Sequence, residues 1–95
     1  MTPEGKLKKD CRDTAKKRRL IFWNIEGKGI NGIPDTICGK VGGGIAFVEF
    51  KRPDGTGVKS VQQHKRVNEL NAVGSEAWFC DSVAHYIAII EDTAL

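Results

Sequence analysis

A chain of 95 residues makes one small domain with a modest core, and 40% hydrophobic with 28% charged residues is a globular composition, neither disordered nor fibrous. No apolar run approaches the ~20 residues of a membrane-spanning helix, and the first residues lack the apolar centre of a signal peptide, so a cytoplasmic protein without a membrane partner is expected. The net charge is only +3, yet eight of the fifteen Lys and Arg residues fall between Lys6 and Arg19, against Asp10 and Asp13.

The first predicted element is a helix. Thr2 is a candidate N-cap and Pro3 suits the first turn. Leu7, Cys11 and Ala15 then recur every four residues, giving one narrow apolar stripe on a strongly basic helix. Glu4 lies on that stripe, one turn before Leu7 and Lys8. Two readings of the basic run stay open: a solvated face, or attraction to phosphate.

Strand-like composition follows at 20–26, then a loop at 27–32. A second strand covers 33–41, broken by Gly39. The clearest strand is 42–52, entered through Gly42-Gly43-Gly44. That triplet reads as a hairpin turn, because no G-K-[ST] follows it and no helix starts there. After a turn at 53–57, a helix over 60–74 is capped by Ser60 and stopped by Gly74, with Val61, His64, Val67 and Leu70 inward. Residues 77–81 form a short buried strand, and 82–95 a closing helix capped by Ser82. The aromatic residues Phe22, Trp23, Trp78 and Phe79 are assigned to the core. The order α-β-β-β-α-β-α predicts an α/β fold with a mixed central sheet flanked by helices, the strand after the second helix parallel to the strand before it.

Cys11, Cys38 and Cys80 are widely spaced and form no C-x-x-C pair, which argues against a disulfide framework and against a zinc site. His64 and His85 have no metal-ligand partner at helical spacing.

Strand alternation locates the chemistry. Ala46, Val48 and Phe50 share one face, suited to packing, while Phe47, Glu49 and Lys51 share the other. Glu49 and Lys51 are then about 7 Å apart along that face. Asp35 begins the neighbouring strand, fixed by Pro34. Two readings are open here too. Glu49 and Lys51 form a plain ion pair on a solvated sheet face, or Asp35 and Glu49 come together around Mg²⁺ or Mn²⁺ with Lys51 beside them.

The ordered set of motifs resembles the VRR-NUC family, the virus-type replication-repair nucleases of the PD-(D/E)XK superfamily. Glu4 opens the first helix, Gly32, Pro34 and Asp35 form G-x-P-D, and Glu49 and Lys51 form E-x-K. Ser60 and Gln63 begin a helix as S-x-x-Q, with Leu70 seven and Gly74 eleven residues after the glutamine. The resemblance spans nearly the whole chain as one nuclease domain, 1–95, of phage type with a restriction-endonuclease-like core. Asn31 stands where many relatives carry a basic residue, and Lys28 is the basic residue of that loop.

The resemblance implies a divalent-metal-dependent deoxyribonuclease without an organic cofactor. Asp35, Glu49 and the Phe50 backbone carbonyl would bind Mg²⁺ or Mn²⁺, and Glu4 would complete the set. Lys51 would position or activate the attacking water, and Gln63 would orient Lys51 or the water. Lys6, Lys9, Lys28, Lys40, Lys59 and Lys65 are candidates for DNA-backbone contacts. Branched DNA, four-way junctions above all, is the substrate that the resemblance implies, cut by a homodimer. The closing helix adds a physical reason for pairing. Val83, Tyr86, Ile87, Ile89 and Ile90 surround most of it, so it wants cover on two sides, from a twofold partner or from the sheet and first helix. A non-catalytic nucleic-acid-binding module is the alternative from another class; it would need the basic surface but no carboxylate cluster.

Overall fold

The computed structural model describes residues 1–25 and 29–91. Seven elements follow the expected order: α1 (Pro3–Lys17), β1 (Phe22–Asn24), β2 (Thr36–Gly39), β3 (Ile45–Phe50), α2 (Val61–Ala72), β4 (Glu76–Cys80) and α3 (Val83–Glu91). The four strands form one mixed sheet in the order β1-β2-β3-β4. The β1/β2 and β2/β3 pairs are antiparallel, and β4 lies parallel to β3, reached through α2. The α/β fold with a mixed sheet flanked by helices is therefore as the sequence predicts.

Local chemistry sets the helix starts. The Thr2 side chain accepts from the Gly5 N–H at 3.0 Å, with Pro3 in the first turn of α1. Ser60 and Gln63 form a reciprocal capping box at α2, and Ser82 Oγ accepts from the His85 N–H at 3.0 Å at α3. The glycine triplet makes the β2–β3 hairpin turn, closed by Lys40 N–H donating to the Gly44 carbonyl at 3.0 Å.

The core lies between the sheet and α1/α3. Leu7, Cys11 and Ala15 of α1 meet Cys38, Ala46, Val48, Phe50 and Cys80 of the sheet and Tyr86, Ile89 and Ile90 of α3. Phe22, Phe50 and Tyr86 pack ring on ring, with centroids 5.8–6.4 Å apart. The three cysteines are buried free thiols in this layer, and burial pushes Cys11 and Cys38 up to about 12. They pack as small apolar groups.

α2 covers the opposite face, and its rotation differs from the sequence reading. Val61 is 81% exposed and His64 is exposed, while Gln63, Arg66, Val67 and Leu70 turn inward. Turned this way, Gln63 faces the sheet end and its Oε1 accepts from the Lys51 ammonium at 2.7 Å. Asn71 then holds α2 to the outer strand, donating to the Ala77 carbonyl at 3.1 Å and accepting from its N–H at 2.9 Å. Trp23 is also not core. It is 59% exposed on edge strand β1, opposite Ile37 and on the face away from the core.

The closing helix finds its cover inside its own domain. Tyr86, Ile89 and Ile90 are buried, and Val83 and Ile87 are partly buried against the same core. Arg18 at the end of α1 donates to Glu91 at 2.8 Å, tying the two helices together. Among the described residues, none of the exposed large hydrophobics lies on α3. The sheet and α1 supply the second side for which a twofold partner was one expectation. Residues 92–95 of the predicted helix lie outside the described residues.

Candidate active site

Asp35 and Glu49 sit at the same end of neighbouring strands. The β2/β3 register ends at Thr36 opposite Val48, so the next step sets Asp35 opposite Glu49 and the one after sets Pro34 opposite Phe50. The backbone of Asp35 is still in the ladder on its other side, its carbonyl accepting from the Ile25 N–H at 2.7 Å. Asp35 and Glu49 are therefore neighbours at this end of the sheet, where Lys8 of α1 reaches Asp35 and Lys51 lies beside Glu49. Pro34 has no N–H to offer the Phe50 carbonyl opposite it.

Glu49 is the electrostatic centre. Its side chain is only 10% exposed, and burial first, then Asp35 and Glu4, push its carboxyl up to about 7 against the pull of Lys51 and Lys8. Lys51 lies 3.8 Å from Glu49, with its side chain equally buried. The ammonium makes its hydrogen bonds elsewhere, to the Val58 carbonyl at 2.8 Å and to Gln63 Oε1 at 2.7 Å. A plain ion pair on a solvated sheet face does not describe this geometry. Glu49 and Lys51 are enclosed, and the lysine is aimed by two acceptors on its far side.

One loop brings these groups together. Gly32 has a φ of +84° and lies directly against the first turn of α2, where a Cβ would come within 2.5 Å of the Gln62 carbonyl carbon. The Arg66 side chain donates to the Asn31 carbonyl at 3.1 Å. G-x-P-D and S-x-x-Q, far apart in sequence, are thus packed backbone to backbone.

Glu4 stands in the first turn of α1, half-buried, and acts on Glu49 through its charge. It does not close a three-acid cluster: among the described residues, no group of three or more His, Cys, Asp and Glu side chains is placed to hold a metal ion. The donors at hand are two carboxylates and one strand-end carbonyl. That set fits a hard cation such as Mg²⁺, which keeps several waters and takes one or two protein carboxylates. Burial is the main cause of the raised Glu49 carboxyl, with Asp35 the next, and a cation held between the two acids would favour their charged forms.

Three partners at the site are absent from the sequence reading. Lys8 Nζ donates to Asp35 Oδ2 at 2.9 Å, Thr36 Oγ1 donates to Asp35 Oδ1 at 2.8 Å, and the Val58 carbonyl holds Lys51. The signal for Lys8 is its place one turn after Glu4. The others have none, because their roles depend on loop conformation and hydroxyl direction.

The expected DNA-contact lysines are dispersed. Lys6 pairs with Asp10 at 3.1 Å and Lys9 with Asp13 at 2.8 Å, both on the exposed side of α1. Lys65 is exposed on α2. Lys59 sits over the Phe79 ring, 5.1 Å from its centroid, and with Lys51, Arg52 and His85 lines a cavity of about 240 Å³. Lys40 departs from the expectation. It is 7% exposed, and its ammonium bonds Glu76 at the end of the sheet remote from Asp35 and Glu49. Buried there, it is a structural residue. Lys28 lies outside the described residues.

The chain shares its fold with a solved structure described as "VRR_NUC domain", with a TM-score of 0.82 and 21% sequence identity over 99% of this chain and 100% of that one. No family model matches the sequence, and no curated protein matches it significantly. The fold is that of a VRR_NUC domain. Among the described residues, no helix is long and apolar enough to cross a membrane.

Proposed function

We propose that this protein is a divalent-metal-dependent DNA endonuclease that hydrolyses phosphodiesters in branched DNA, in the manner of a phage-type replication and repair nuclease. The observation that carries this reading is the enclosed set formed by Asp35 and Glu49 on adjacent strands with Lys51 held by Gln63. The VRR_NUC fold supports the same reading.

Asp35, Glu49 and the Phe50 carbonyl would hold Mg²⁺ or Mn²⁺, with Glu4 acting through water. Bound there, the ion would supply charge stabilisation and an acidified water. Lys51 presents its ammonium beside Glu49, where it can hold the attacking water and offset the negative charge growing on the phosphate. Gln63 fixes the direction of that ammonium and so acts as a positioning residue. The exposed lysines of α1, with Lys59 and Lys65, give sequence-independent hold on the DNA backbone.

A homodimer cutting four-way junctions remains part of the proposal, supported by the family resemblance and not by α3. Exposed apolar groups are found instead at Ile30 and Val73, which line an apolar recess with Ile25, Ile33, Phe47 and Leu70. The test is cleavage of duplex, flap, single-stranded and four-way DNA with Mg²⁺, with Mn²⁺ and with EDTA, alongside light scattering. Metal-dependent cutting that favours junctions, from a dimer, is expected. Monomer mass with no preference for junctions would remove the junction reading, and binding without cutting under any metal would leave a non-catalytic nucleic-acid-binding module.

A further inference from the structure

Asp35 is doubly engaged. Its Oδ1 accepts from Thr36 and its Oδ2 from the Lys8 ammonium, in an ion pair whose side chains are only 23% and 29% exposed. Thr36 is buried in β2 and neutral, so it orients the carboxyl without competing for charge. Lys8 is different in kind. It comes from α1, 27 residues away in sequence, on a long stem that can swing, and it also draws the Glu49 carboxyl down. Lys51, rooted in the chain beyond β3, is committed to Val58 and Gln63.

We propose that Lys8 is the resident counter-ion of the acidic site and competes with the divalent metal for Asp35. This rests on the metal-dependent reading above. Asp35, Glu49 and Glu4 concentrate negative charge in a half-buried place, and like charges so placed need a cation. Lys8 supplies it without metal. A divalent ion held by Asp35 would share its carboxylate with the Lys8 ammonium, and two positive charges on one carboxylate repel at close range. Metal loading therefore works against the Lys8 ion pair, and the lysine raises the metal concentration at which the site fills.

The sign of the effect separates this role from a merely structural one. Removing a structural support loosens the site and weakens metal binding, whereas removing a competitor tightens it. Calorimetric titration of the whole protein with MnCl₂, without DNA, at pH 8 tests it. Lys8→Met is expected to bind Mn²⁺ about tenfold more tightly than the wild type, and Lys8→Arg within about threefold of it. Lys8→Gln serves if Lys8→Met does not fold. The Mn²⁺-induced rise in melting temperature is expected to be larger in the neutral variant at the same metal concentration. Equal or weaker binding by the neutral variants, with the wild type binding normally, overturns the counter-ion role alone. No Mn²⁺ binding by any of the proteins overturns the metal reading and this role with it.

Discussion

Gln63 Oε1 accepts from two donors at once, the Lys51 ammonium at 2.7 Å and the Ser60 N–H at 3.1 Å. One amide oxygen therefore closes the N-cap of α2 and aims the lysine of the candidate active site. The helix start and the chemistry are coupled through a single atom. Placing Gln63 at the third helical position brings its side chain back over the cap, where the sheet-end lysine can reach it.

Gln63→Leu should lose both connections. Loss of half the capping box is expected to cost about 1 kcal/mol of stability, while the freed Lys51 lowers single-turnover cleavage by at least about tenfold. Gln63→Glu keeps an acceptor for both donors, so its melting temperature should stay near the wild-type value. Thermal unfolding and single-turnover assays on both variants check this. Full activity in Gln63→Leu would free Lys51 from any dependence on the cap.

Asp35→Asn and Glu49→Gln should each reduce cleavage by at least about 10²-fold while leaving DNA binding largely intact, because each removes a metal-ligand charge but no backbone-contact lysine. Lys51→Ala should cost activity with little loss of Mn²⁺ affinity. Gel-shift and calorimetric measurements separate these outcomes. Near-normal cutting by either carboxylate variant would sink the ligand assignment.

Much of this is legible in the sequence because it is written locally. Thr2, Ser60 and Ser82 mark helix starts within one turn of their partners, and alternation along 45–51 separates the packing face from the acidic face. Non-local pairings are not legible. Lys40 looks like any hairpin lysine until the fold brings Glu76, 36 residues on, against it, and Lys8 looks solvated until Asp35 arrives. The stripe at 61, 64, 67 and 70 is only half right, since Val67 and Leu70 turn inward but in the first turns Gln63 takes the inward place expected of Val61 and His64, a polar contact with Lys51 that periodicity does not show. The exposure of Trp23 escapes it because composition identifies a strand but not an edge.

The metal-free protein should lose stability as pH rises from about 4.5 to about 7. Glu49 has its folded-state value raised from 4.5 to about 7, so in that window the folded chain holds a proton that the unfolded chain releases. Glu49→Gln cannot ionise. Its stability should resemble the wild type below pH 4.5 and exceed it above pH 7, by an amount of order 3 kcal/mol. Urea unfolding of both proteins in EDTA at pH 4.5, 6 and 8 measures the gap. A gap that does not widen with pH would mean that Glu49 is not held protonated by its surroundings.

DNA binding should show the basic helix in its salt dependence. Lys6 and Lys9 are held only by exposed pairs with Asp10 and Asp13, which are worth little and can exchange for phosphate. Lys16 and Lys17 are exposed at the end of the same helix. Replacing these four should weaken binding for all DNA sequences alike and flatten the slope of log affinity against log salt by about one unit for each phosphate no longer neutralised. An unchanged slope would return α1 to a solvated face.

Gly32 is expected to be the least replaceable glycine. A Cβ there would lie 2.5 Å from the Gln62 carbonyl carbon, 2.6 Å from its oxygen and 2.7 Å from the Gln63 nitrogen, and all three are backbone atoms that no rotamer change can move. Its φ of +84° adds strain for any side chain. Gly74 is the internal control, with a similar φ of +88° and open space within 4 Å of where a methyl would stand. Gly74→Ala should therefore cost only the conformational strain, about 1–2 kcal/mol, and leave cleavage unchanged. Gly32→Ala should cost at least about 3 kcal/mol and, where it folds, should lose cleavage as well, because lifting the loop off α2 carries Asp35 away from Glu49 and disturbs Gln63 beside Lys51. Urea unfolding and cleavage assays on the two variants make the comparison, and equal losses would show that the close approach of Gly32 to α2 does not hold the site together.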